Sequence, residues 1–155
     1  MNAAPWRQRA ALLAAALWWG SLTAVGAWVV PLLFAHLPTS AMASGMAARL
    51  FSAQTWAAVG CGLLILLALR GRGDDPVSMA RAGGAFGFLL AGMLLALLLE
   101  FAVAPRIIAR ENLRLWHAVG TGLFAAQWVC AAVVLWKLGG GLVRVGASSG
   151  SARTE

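Results

Sequence analysis

Four apolar runs, residues 10–34, 51–69, 82–104 and 115–138, govern what this chain can fold into. A helix needs roughly 17–25 residues to cross the hydrocarbon of a bilayer, where every backbone amide must find its partner within the protein. Each run meets that length. Hydrophobic residues make up 61% of the chain and charged residues 11%, against about 25% charged in an ordinary soluble domain. The connections between runs are too short to hide a soluble domain. The expected fold is an all-α membrane protein with four transmembrane helices across residues 10–138. A short N-terminal segment, 1–9, precedes them. A Gly- and Ser-rich tail, 139–155, follows and reads as flexible.

The net charge of +7 follows the ends of the runs rather than forming a stripe, which speaks for membrane topology and against nucleic acid. Eight basic residues fall on one side: Arg7, Arg9, Arg70, Arg72, Arg81, Lys137, Arg144 and Arg153. Arg49, Arg106, Arg110 and Arg114 fall on the other. The positive-inside rule places both termini in the cytoplasm. The protein is expected in the cytoplasmic membrane of a bacterium. Val25-Gly26-Ala27 resembles a signal-peptide cleavage site. The apolar run continues well beyond it, so the first segment is expected to remain as an anchor. The middle loop, Gly71 to Pro76, is expected to be a cytoplasmic turn.

The runs also repeat. Trp56-Ala57-Ala58-Val59-Gly60-Cys61-Gly62-Leu63 opens the second, and Trp116-His117-Ala118-Val119-Gly120-Thr121-Gly122-Leu123 opens the fourth. The first and third end on Trp28-Val29-Val30-Pro31 and Ala102-Val103-Ala104-Pro105. Two helical hairpins of the parallel-repeat class are expected, with Gly26 opposite Glu100. Pro31 and Pro105 should break or end their helices at equivalent depths. Small residues every fourth position (Gly83, Gly87 and Ala91; Ala118, Gly122 and Ala126; Ala58 and Gly62) are expected to bring helices together. The same faces suit a homo-oligomer, which with the lipid bilayer completes the expected partners. Residues 39–50, with Thr39 as cap, are expected to form a short helix lying in the interface. Trp56 and Trp116, and at the other side Trp6 and Trp136, fit interfacial belts.

Glu100 is the one acidic residue within the four runs. A charge at a bilayer centre costs about 2.5–3.5 kcal/mol on insertion scales, so an acid there is paired, hydrated or functional. With the third helix ending near Pro105, Glu100 should lie about 7–8 Å below its end. His36, Gln54 and His117, with Arg106 beside Pro105, would then meet Glu100 in one polar layer. Three readings follow. Glu100 fixes the bundle by pairing with His117 or Arg106; or it binds a proton, cation or cationic solute on a hydrated path; or His36 and His117, with Met42 or Met46, hold copper or haem iron. No cofactor is predicted, and the metal stays the alternative. Gln127 reads as an interhelical hydrogen bond. Cys61 and Cys130 differ in depth and are not expected to pair. No nucleophile–base arrangement or phosphate loop points to an enzyme of soluble type.

Gly26-Ala27-Trp28-Val29-Val30-Pro31-Leu32-Leu33-Phe34-Ala35-His36-Leu37-Pro38, with Glu100 to Pro105 and Trp116-His117-Ala118-Val119, resembles a family of small bacterial membrane proteins of unknown function related to eukaryotic transmembrane protein 205. The resemblance implies four membrane helices without a settled activity, and through the eukaryotic relative it suggests transport or trafficking. A weaker similarity to copper-resistance D type proteins and membrane protoporphyrinogen oxidases rests on histidines near helix ends.

Overall fold

The computed structural model describes residues 4–69 and 76–151, with side chains over residues 6–69 and 84–140. Helix α1 (Ala4–Ala24) runs through a π-helical stretch, Val25–Val29, into α2 (Val30–His36). A turn over 37–39 leads to α3 (Ser40–Leu69). Helix α4 (Pro76–Leu98) likewise enters a π-helical stretch, Leu99–Val103, and continues as α5 (Ala104–Ile108). Arg110 and Asn112 take positive φ of 57° and 34° in the turn before α6 (Leu113–Ser151). Four segments are long and apolar enough to cross a membrane: Trp6–His36, Ser40–Leu69, Gly84–Ile108 and Leu113–Gly140. The loop expected over 71–76 lies outside the described residues, save for Pro76 at the start of α4. Helix α6 stays helical past Gly139, where the sequence predicts a flexible tail.

The prolines break the α-helical ladder without ending the helix. Proline lacks an N–H, and its ring collides with the carbonyl four residues back in a regular helix. Widening the preceding turn relieves that collision. Val30 N–H accordingly donates to Val25 O, and Ala104 N–H to Leu99 O, each five residues back. Both helices then continue past their prolines, to His36 and Ile108.

That continuation changes the second span. Thr39 Oγ1 accepts from Met42 N–H at 3.2 Å, the cap the sequence predicts. The helix it caps is not a separate interfacial segment, however, but the first turns of α3. The prolonged α2 packs on this stretch, and Ala43 and Ala47 are buried. Trp56 consequently lies near the middle of α3, 59% exposed, rather than in a belt at its end.

The four spans form a ring. Helix α1 packs on α3 and α6, and α4 packs on the same two, with the α3–α4 seam the thinnest of the four. Trp18, Leu22, Ile65, Leu89 and Val134 fill the centre, fully buried. Trp18 reaches across to α4 because Gly92 leaves room: a Cβ there would lie 2.6 Å from Trp18 Cη2 and 3.2 Å from Cys130 Cβ. Cys61 and Cys130 are buried and free. Ala58 and Gly62 face inward as expected, whereas Gly87, Ala91, Ala118, Gly122 and Ala126 face outward. Helix α6 turns Gln127, Cys130, Ala131 and Val134 to the core instead, leaving its small residues on the outer surface.

Candidate functional site

The polar groups gather at two adjacent levels of the ring. The first is the waist. Ser21 is the middle residue of Trp6–His36, Gln54 and Thr55 are the middle pair of Ser40–Leu69, and Ala96 is the middle of Gly84–Ile108. Gln127 is one of the middle pair of Leu113–Gly140. Gln54, buried, donates from Nε2 to Ser21 Oγ at 2.9 Å, and Ser21 Oγ donates to Trp18 O at 2.9 Å. Thr55 Oγ1 lies 3.2 Å from Phe51 O on its own helix and 3.4 Å from Ala96 O on α4. Thr23 accepts from Trp128 Nε1 at 2.8 Å while Trp128 packs on Trp19, ring centroids 5.6 Å apart. Water cannot satisfy such groups in lipid, so they bind one another across helix seams.

The second level lies about one turn nearer the end that carries the two short turns. There Ser52 Oγ donates to Glu100 Oε1 at 2.7 Å, joining α3 to the π-helical stretch of the third span. Glu100 is half-buried and, among the described residues, has no ion-pair partner and no other hydrogen bond. It lies eight residues before the end of α5, about 12 Å deep at 1.5 Å per residue. That is deeper than the sequence predicts, because the helix outlasts Pro105. Gly26 holds the corresponding place in the first π-helical stretch. The ring of Phe124 lies over it, 2.9 Å from where a Cβ would stand, and meets Phe51 edge-on at 5.4 Å.

The structure brings together only part of the expected layer. Gln54 and Glu100 occupy neighbouring levels, yet each is bound to a serine the sequence reading did not single out. His36 is exposed, its Nδ1 3.1 Å from Leu32 O on its own helix. His117 is exposed near the start of α6, and Arg106 stacks over the Trp116 ring at 4.3 Å instead of pairing with Glu100. Met42 and Met46 lie exposed on α3. Among the described residues no group of three or more His, Cys, Asp or Glu is placed to hold a metal. Ser52 was discoverable in principle: once α3 starts at Ser40, residues 52 and 54 lie near mid-helix rather than at its mouth.

Three donors at the waist remain unpartnered. Trp18 Nε1, Trp19 Nε1 and Gln127 Nε2 are buried without a hydrogen-bond partner. Among the described residues Gln127 Nε2 thus does not make the interhelical bond the sequence predicts. An unsatisfied buried donor costs about 1–3 kcal/mol, so three in neighbouring positions are unusual.

The architecture and this polar centre define an all-helical, multi-pass membrane protein of four spans. The profile of the family described as "Domain of unknown function (DUF4149)" matches residues 13–115, and the chain belongs to that family. The matched stretch holds both π-helical stretches with their prolines, Ser52, Gln54 and Glu100; His117 and Gln127 lie beyond it. No curated protein and no solved structure matches the chain.

Proposed function

We propose that this protein supports movement of a proton, a cation or a cationic solute across the cytoplasmic membrane of a bacterium, with Glu100 as the binding group. One observation carries the reading. The single carboxylate within the spans is held by one neutral hydroxyl and, among the described residues, has no cationic side chain to neutralise it. A carboxylate kept only for structure is expected to face a basic partner. One left without such a partner is free to take a proton or cation from a hydrated path. The suggested kinship with eukaryotic transmembrane protein 205 agrees with a role in transport, and the weight of basic residues supports cytoplasmic termini.

The proposed duplication gains support from the two π-helical stretches, each ending two residues before a proline. Two hairpins of one origin would give a parallel repeat in which only the second copy carries an acid. Proteoliposomes loaded with a pH-sensitive dye, and in parallel with a cation-sensitive one, test the function. Flux through the wild type that disappears in Glu100→Gln at equal protein incorporation is the expected result. Equal flux through both proteins, or none through either for protons and monovalent or organic cations, removes the proposal.

A further inference from the structure

The unpartnered donors point to something the movement of charge through Glu100 does not require. Trp18 and Gln127 are 0% and 2% exposed, and the Trp19 Nε1 atom is equally shut off. All three lie on packed faces at or just below the middle of the ring. Trp19 stacks on Trp128, the neighbour of Gln127 in sequence, and Trp18 borders Gly92 together with Cys130, one turn along α6 from Gln127. The hydroxyls of the same stretch of α1 are already engaged, Ser21 by Gln54 and Thr23 by Trp128. Among the described residues no helical carbonyl accepts from any of the three donors.

Buried donors that find no acceptor among the described residues call for one from outside the chain. The donors are neutral, and a bare anion at mid-membrane depth would be expensive to hold with indoles and an amide alone. A neutral oxygen fits. Buried waters bind in just such places, making about three hydrogen bonds to groups otherwise unsatisfied. We infer that the waist of the bundle binds neutral oxygen acceptors, to which the buried Trp18, Trp19 and Gln127 donors each donate. The oxygen belongs to ordered water or to a small neutral solute carrying a carbonyl, ether or hydroxyl group. The inference stands apart from the role proposed for Glu100, and Glu100→Gln should leave it intact.

Nitrogen-15 labelling of tryptophan and glutamine in nanodisc-embedded protein provides the test, with Trp18→Phe and Trp19→Phe used to assign the indole signals. Cross-relaxation to water at both indole protons and at the Gln127 amide is the expected result if water is the acceptor. Downfield, hydrogen-bonded indole protons without water cross-peaks, together with a neutral compound released on organic extraction and seen by mass spectrometry, identify a solute. Gln127→Met, close in volume, should remove the amide signal and weaken contact at the indoles in either case. Indole and amide protons at the shifts of free N–H groups, with neither water contact nor extracted compound, overturn the inference without bearing on flux.

Discussion

The two π-helical stretches share a backbone and differ in what they carry. Val25–Val29 and Leu99–Val103 each widen the helix ahead of a proline, and each offers its second residue toward a neighbouring helix. In the first, that residue is Gly26, and Phe124 from α6 covers it. In the second it is Glu100, and Ser52 from α3 binds it. One device serves packing and the other a polar centre. The difference lies in a single side chain and in what faces it: the Phe124 ring over Gly26, and the Ser52 hydroxyl beside Glu100. Local geometry creates an opening, and the facing helix decides its use.

The largest expected effect comes from forcing the first stretch to carry a side chain. Gly26→Leu drives bulk into the Phe124 ring, an overpacking expected to cost about 1–3 kcal/mol. Thermal unfolding in lipid should fall, and Gly26→Leu with Phe124→Ala should recover part of the loss. Full stability of Gly26→Leu alone would mean that Phe124 does not close the first stretch as described.

Ser52→Ala removes the one hydrogen bond that Glu100 makes among the described residues and is expected to cost about 1 kcal/mol. It should alter flux more than stability, whereas Gly26→Leu should do the reverse. If both variants change the same property by the same amount, the contrast between the stretches collapses. A comparable loss, about 1 kcal/mol, is expected for Thr39→Ala from the cap of α3. That site touches neither stretch, so its flux per folded protein should stay unchanged. Smallest is Arg106→Gln, which gives up an exposed cation–π contact with Trp116 worth about 0.5–1 kcal/mol. A collapse in flux for this variant would bring Arg106 into the account of Glu100.

Hydropathy made the four spans legible because each apolar run exceeds the thickness of the hydrocarbon. Glu100 was legible for the same reason, as an acid within such a run. Its partner was not. Arg49 with Ser40, Ser44 and Gly45 lowers hydropathy over 40–50, so the second helix reads as starting at Phe51. Tertiary contact with α2 extends it to Ser40 and moves Gln54 from helix mouth to mid-helix. The prolines mark where the ladder must break, but proline chemistry alone does not say whether a helix ends or widens. The small-residue stripes reveal which faces permit close approach. Which face the core takes is settled by larger side chains, with Trp18 and Gly92 fixing the rotation of α1 against α4.

The central claim is that Glu100 exchanges with the medium rather than serving as a fixed strut. Infrared difference spectroscopy of the protein in lipid, with Glu100→Gln as reference, addresses that carboxyl group directly. The account predicts a carboxyl band, absent from the Glu100→Gln protein, that converts between protonated and ionised forms as medium pH or cation concentration is changed. A Glu100 band that stays fixed across both series, in protein that remains folded, would contradict it.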